Sequence, residues 1–335
     1  MLLGWAILSG LLIFTTEFAT ADSADPCPFG QGSSAISQCT HTLQSPKLLP
    51  EDKPYALWWR GWAYYNASQY VAALADFDAA IALIPNDTTD PAQELHPRGS
   101  AEREKHDQDW DLVYRFGDFF AGRATALMWL GRFNEAMDAA GKAEAVFHSK
   151  QMKAYARDLQ AEIHLRMGNV PEAERLYLQA IDLDVTSATP LYDLALLKLA
   201  TGERDGIGPI LEKAIIREPY FREPALLLVA LKLSSPERKE ELLPRNDHWA
   251  VTGWDDAIAE YFAGRIDLAA LMKRPAETDV ETDRYRLFNI HFFLGVASMT
   301  KAEAIGHFES AMATGADHAF EYLAAQAMLT NLRKN

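Results

Sequence analysis

The sequence predicts an all-α fold in which antiparallel helix pairs stack side by side into a right-handed superhelix. Three observations predict it. Gly61, Tyr64, Ala73, Phe77, Ala80 and Pro85 fall 3, 9, 4, 3 and 5 residues apart, the pattern of two short helices meeting at small residues and stopped by a proline. The pattern returns with variations further along the chain. Almost no segment alternates polar and apolar residues as a half-buried strand does. Stacked helix pairs bury a continuous core and leave one flank open, so the pattern points to holding another protein rather than to catalysis.

Taken in order, the chain begins with an apolar run over residues 2–14, followed by Thr15-Thr16-Glu17 and the small-x-small site Ala19-Thr20-Ala21. This reads as a signal peptide over 1–21, cut before Asp22. No Lys or Arg precedes the run. A periplasmic or secreted protein is expected, with no integral membrane span after cleavage. The alternative is an uncleaved N-terminal anchor.

Residues 22–53 form the next segment. Its first part is rich in Gly, Ser and Pro and reads as a loop. From Ser34 it reads as a helix on which Ala35, Cys39 and Thr42 keep the 4-then-3 step, a half-repeat capping the array. The only cysteines are Cys27 and Cys39. An even count close together in an exported chain suggests one disulfide, worth about 3 kcal/mol in the chain-entropy model. The alternative is a pair of buried thiols.

The repeat array is expected over 54–219, with an insertion at 88–116. Its first pair, 54–87, carries Leu57, Gly61 and Tyr64 on one helix and Ala73, Phe77 and Ala80 on the next. A second pair at about 117–147 carries Ala124, Leu127, Gly131, Phe133, Ala136, Ala140 and Ala143. A third at 154–184 carries Ala161, Gly168, Ala173, Tyr177 and Ala180, and a fourth at 188–219 carries Ala195, Gly202, Leu211, Ala214 and Pro219. Gly131, Gly168 and Gly202 fall at the turn of their pairs, where a positive φ is often required. Over 54–87 and 117–219 these residues resemble the tetratricopeptide repeat family. The match is best in the first pair and decays in the fourth, where Ile207 and Leu211 replace the small and aromatic residues. The resemblance implies the superhelical fold and a concave groove that receives peptides.

The insertion contains Pro91, Pro97 and a charged stretch at 101–107, and it reads as a surface loop with a short helix. Residues 220–335 read as degenerate helical repeats: an amphipathic helix at about 249–264, another at 279–299, and the 4-then-3 step again at Ala304, Phe308 and Ala311. This tail resembles the C-terminal half of new lipoprotein I-like bacterial envelope repeat proteins. The likeness rests on Trp254 through Met272, on His291-Phe292-Phe293-Leu294-Gly295 and on Ala319-Phe320-Glu321-Tyr322. It implies an adaptor that holds cell-wall hydrolases and a protease together. Those relatives carry a lipidated cysteine. Cys27 departs from that pattern, being preceded by Ala24-Asp25-Pro26.

Composition narrows the partners. The chain has 335 residues, 49 % of them apolar, enough for a continuous core, and a net charge of −15. That charge repels phosphate backbones and anionic lipid, so neither nucleic acid nor a membrane surface is an expected partner. None of the nine histidines forms a zinc-hydrolase pair, and neither a phosphate loop nor a nucleophile elbow occurs. No metal, cofactor or catalytic group is expected. One alternative is a cell-wall lyase, because Glu309-Ser310 is similar to the Glu-Ser of lytic transglycosylases, whose glutamate acts as a general acid.

The candidate partner-binding groove is aromatic. Trp58, Trp62 and Tyr65 lie at i, i+4 and i+7 on the first leading helix, about 100° from the Leu57, Gly61, Tyr64 stripe. In the family resembled, the corresponding face lines the groove, and there the later helices offer Trp129, Glu162, Arg166 and Tyr192. Two arrangements of the first helix stay open: its aromatics are exposed, or the half-repeat or residues 22–32 cover them. The Lys, Asn and Arg clamp of chaperone-binding members is absent, with Trp58, Trp62, Gly122 and Leu159 at its places. The expected function is a non-enzymatic scaffold or adaptor for protein or peptide partners in the bacterial periplasm, with cell-wall hydrolases or a protease as the partners the resemblance implies. The alternative within binding is a self-assembling structural protein, with a homodimer as its simplest form.

Overall fold

The computed structural model describes residues 33–50, 52–84, 115–234, 254–273, 280–316 and 321–334. Among these the regular elements are helices, with no strand. The proposed leader, Cys27, Pro85 and the insertion 88–116 apart from its last two residues lie outside the described residues. Two compact units divide between Leu183 and Asp184.

The first unit holds α1 (Ser33–Gln44), α2 (Lys53–Asn66), α3 (Tyr70–Ala82), α4 (Arg115–Trp129), α5 (Phe133–Val146), α6 (Lys150–Arg166) and α7 (Val170–Leu183). Each helix packs on the next. In addition α2 packs on α4 and α4 on α6, so the leading helices of successive pairs form one layer. The small residues act as the spacing predicts. Phe77 is fully buried, and its ring lies against both Gly61 on α2 and Gly122 on α4, where an added Cβ would stand 2.6 Å from Cε1 in either case. Gly117 on α4 receives Phe147 in the same way. Close backbone approach at glycine thus lets one ring key two helices together.

The capping half-repeat is present as α1, with Ala35, Cys39 and Thr42 buried. A charged fork ties it down. Arg60 donates to both oxygens of the buried Asp76 at 2.7 and 2.8 Å and to Thr40 Oγ1 at 3.3 Å, joining α2 to α3 and α1. That hydrogen bonding to Asp76 holds the guanidinium above its ordinary range.

The turns share one hydrogen-bond signature. After Gly131, Gly168 and Gly202, all at positive φ, the next backbone N–H donates five residues back: Arg132 to Leu127 O, Asn169 to His164 O and Glu203 to Lys198 O. The first pair makes the same turn without glycine. Ser68 sits at φ 55, and Gln69 N donates to Tyr64 O.

The second unit holds α8 (Thr189–Thr201), α9 (Ile207–Arg217), α10 (Glu223–Leu233), α11 (Trp254–Phe262), α12 (Leu268–Met272), α13 (Val280–Ala297), α14 (Lys301–Ala313) and α15 (Tyr322–Lys334). The fourth pair, grouped with the array from sequence, therefore belongs with the C-terminal helices. The physical reason is that α8 is apolar nearly all round, with Leu191, Tyr192, Leu194, Ala195, Leu196, Leu197 and Leu199 all buried. One face packs on α9, and another is covered by α15 from the far end of the unit. Asn331 on α15 donates to Ala200 O at 3.2 Å, and Tyr192 donates to Glu321 just before α15 at 2.7 Å. A helix with two apolar faces needs two partners, and the returning C-terminal helix is the second. Inside the unit α10 packs on α9, α11 and α13, and an ion pair from Arg222 to the buried Asp256 fixes α11.

Candidate functional site

The layer formed by α2, α4 and α6 carries most of the residues singled out from sequence. Trp58 points inward. It is 5 % exposed and its indole donates to Asp118 O on α4 at 3.2 Å. It packs edge-on to Trp59 and Trp62, with centroids 4.4 and 6.4 Å away. Trp58 is therefore a packing residue covered by α4, which corrects its place in the groove.

From Trp62 outward the aromatics are only partly buried. Trp62 meets Tyr65 edge-on at 5.3 Å, and Tyr65 meets Trp129 at 6.5 Å. Tyr70, at the start of α3, stacks on Trp129 with centroids 5.5 Å apart and planes 17° from parallel. The Arg166 guanidinium lies 3.8 Å from the centre of the Trp129 ring and pairs with Glu162 at 3.0 Å. Three helices thus contribute to one run of side chains: Trp62 and Tyr65 from α2, Trp129 from α4, and Glu162 and Arg166 from α6. An arginine over an indole face is favourable because the ring quadrupole presents negative charge there. Burial, and then the Glu162 carboxylate, push the Tyr65 hydroxyl above the ordinary phenol range.

Tyr192 does not join this run. It lies in the second unit, 1 % exposed, with its hydroxyl on Glu321. The repeat register gives it the right position on a leading helix, but α15 covers that face. Tyr70, Tyr155 and Asp158 escape the sequence reading. Tyr155 on α6 sits among Asp118, Asp158 and Glu162, and burial followed by those carboxylates raises its hydroxyl above the usual range. Tyr70 carries a readable signal, since it is the first residue after a turn whose glycine-bearing equivalents start their second helices at Phe133 and Val170.

Glu309 is half-exposed on α14 and accepts from Arg333 at 2.7 Å. A surface carboxylate held by arginine lacks the apolar enclosure that keeps a general acid protonated. Among the described residues no group of three or more His, Cys, Asp or Glu side chains could hold a metal ion, and no helix is long and apolar enough to cross a membrane.

Residues 54–87, which contain α2, α3 and the Phe77 seat, match the tetratricopeptide repeat model. The chain carries a tetratricopeptide repeat. The recurring turns and small-residue seats of the later pairs make it an all-α repeat protein. No curated protein matches the chain. Among solved structures, the repeat protein is similar to the C-terminal part of a TPR repeat-containing protein from Cytophaga hutchinsonii, at 13 % identity and a TM-score of 0.39 over 84 % of this chain and 90 % of that one. It is also similar to a Rap protein complexed with competence and sporulation factor, at 12 % identity and a TM-score of 0.47 over 90 % and 69 %. A third likeness is to the Cut9–Hcn1 hetero-tetramer of the APC/C, at 12 % identity and a TM-score of 0.42 over 89 % of this chain and 52 % of that one. All three TM-scores lie under 0.5, too low to carry an argument about function.

Proposed function

We propose that the repeat protein is a non-enzymatic scaffold whose α2–α4–α6 layer grips a segment of a protein partner. The observation that carries the reading is the run Trp62, Tyr65, Trp129, Arg166, Glu162, which spans three leading helices and stays partly open to solvent. Tryptophan, tyrosine and arginine are the residues most enriched at interface hot spots. An aromatic floor with an arginine and a carboxylate at one end supports recognition of an extended segment with an apolar anchor and a polar neighbour.

The setting we propose is the periplasm of a bacterium, with 1–21 removed and Cys27 bonded to Cys39. The apolar leader supports export, and two cysteines close together in an exported chain support a bond that ties residues 22–32 to the capping helix. Envelope enzymes, a cell-wall hydrolase or a protease, are the partners suggested by the likeness of the C-terminal half to envelope adaptors. Self-association through terminal helices is the alternative reading.

The test compares capture of periplasmic partners by the purified chain and by Trp129→Ala and Arg166→Ala. Their folding is checked by circular dichroism. Partners retained by wild type and released by at least tenfold in both variants are expected. Undiminished capture by both folded variants overturns the groove assignment. The mass of the exported protein reads cleavage before Asp22, together with the two-hydrogen loss of one disulfide.

A further inference from the structure

In the second unit α15 packs chiefly on α8 and α14. It buries a narrow stripe, Ala324, Ala325, Met328 and Leu329, while Gln326, Thr330 and Arg333 face solvent. Its ties near the C-terminal end, Asn331 to Ala200 O and Arg333 to Glu309, are exposed and add little. The buried tie is at the other end, where Tyr192 donates to Glu321 Oε1 at 2.7 Å. Glu321 is fully buried, and its Oε2 has no hydrogen-bond partner among the described residues.

The bonds at Tyr192 and Ala200 fix the face of α8 that α15 covers, with Leu196 on the same stripe. Tyr192, Leu196 and Ala200 stand one 34-residue repeat after Asp158, Glu162 and Arg166, which are partly exposed on α6. The equivalent face is thus polar and partly open on α6, but apolar and occupied on α8.

We infer, on the proposed reading that leading-helix faces receive partner segments, that α15 is an autoinhibitory strap: it fills the docking face of α8 and is latched there by a neutral Glu321. The groups around the latch are Tyr192 on α8, Tyr285 on α13 and Glu223 at the start of α10, none of them a cation. Arg286 on α13 is paired with Asp283, and Glu309 on α14 is held by Arg333 at the opposite end of α15. A carboxylate at this place has one donor and no counter-charge, so it ionises at lower cost once α15 lifts and water reaches it. Burial, opposed by the Tyr192 hydrogen bond, accordingly pushes the carboxyl up to about 7. The latch holds below that pH and loosens above it. The face then uncovered fits a partner's amphipathic helix with small residues on its apolar stripe, the chemistry that Ala324 and Ala325 already present to α8 and α14.

Amide hydrogen exchange of the full chain at about pH 5.5 and about pH 8.5, scaled for intrinsic rates, tests the strap. Protection of α15 is expected to fall at least tenfold at the higher pH while α10 and α13 keep theirs, and Glu321→Gln, which does not ionise, is expected to abolish the fall. Equal protection of α15 at both pH values overturns the inference, as does a fall that persists in Glu321→Gln or is shared by α10 and α13. If Glu321→Gln fails to fold, the carboxyl carbon signal of wild-type Glu321 decides: its titration midpoint coincides with that of α15 opening, or the latch is refuted. A labelled synthetic peptide of residues 321–334 carrying Glu321→Gln reads the uncovered face by fluorescence anisotropy. It is expected to bind the full chain at least tenfold more tightly at the higher pH, and no binding at either pH refutes the docking face. None of these measurements uses the first-unit surface, so their failure leaves the capture test with Trp129→Ala and Arg166→Ala standing.

Discussion

Substituting Gly61 by alanine tests the packing on which the whole first unit depends. In an exposed helix interior the change from glycine to alanine is favourable by about 1 kcal/mol, because alanine loses less backbone freedom on folding. At Gly61 a second effect opposes it. The new Cβ would stand 2.6, 2.9 and 3.0 Å from Cε1, Cδ1 and Cζ of Phe77. Ordinary carbon contacts lie near 3.5–4.0 Å, so the ring must retreat by about 1 Å. It has nowhere to go, because on its other side an added Cβ at Gly122 would stand 2.6 Å from the same Cε1. The strain falls on the packing of α2, α3 and α4, and overpacking of this kind costs roughly 1–3 kcal/mol. Subtracting the propensity gain leaves a net loss of about 0–2 kcal/mol for Gly61→Ala, and the same for Gly122→Ala.

Gly141 supplies the opposite sign. It lies inside α5, is exposed, and would place its Cβ with nothing within 4 Å. Gly141→Ala should therefore stabilise by about 0.5–1 kcal/mol. Urea unfolding followed by helical circular dichroism measures all three as shifts of the midpoint at constant slope. Adding Phe77→Leu to Gly61→Ala should recover part of the loss, since the smaller side chain vacates the contested space, and the two changes should be strongly non-additive. If Gly61→Ala and Gly122→Ala raise the midpoint as Gly141→Ala does, the ring is not seated between two backbones and the small-residue account of the fold fails.

Three further outcomes are expected. Ser68→Gly should stabilise by about 1 kcal/mol in the same urea assay, because Ser68 holds a left-handed conformation that costs an L-residue roughly 1–2 kcal/mol and glycine little; no shift would mean the turn relaxes without cost. Glu321 is fully buried, and burial first of all, with the Tyr192 hydrogen bond opposing it, pushes its carboxyl up to about 7 from 4.5, so the folded state keeps a proton that the unfolded chain releases. Its contribution is complete below about pH 4.5 and is lost as pH rises to about 7, on the order of 3 kcal/mol at most. Glu321→Gln should flatten that slope and raise the midpoint at pH 8, and an unchanged slope refutes the assignment. Glu309→Gln should leave stability within about 1 kcal/mol, since its Arg333 pair is exposed, and should leave digestion of purified cell wall unaltered; activity abolished by this substitution would replace the scaffold reading with that of a lyase.

Why the sequence reveals the helix pairs and not the division of the chain follows from what each depends on. Pairing is local. Gly61, Ala73, Phe77 and Ala80 lie within one 34-residue match, and the contacts they encode join neighbouring helices. The turn signal is local too, and it fails only where serine stands in for glycine, at Ser68. The grouping of α8 with the C-terminal helices depends instead on α15, whose contacts with α8 include a Tyr192–Glu321 bond across 129 positions of sequence. A spacing rule assigns Tyr192 to a groove because it reads each leading helix as having one packed face and one open face. The composition of α8 argues otherwise: apolar residues run round its whole circumference, and a helix of that kind demands cover on both sides. Trp58 fails by the same logic on a smaller scale. Its place on the helical face is right, but an indole that large beside α4 gains more from burying its rings and bonding Asp118 O than from standing in solvent. What stays partly exposed is the end of the aromatic run, where the Arg166 side chain, 12 % exposed, lies over Trp129 with Glu162 beside it.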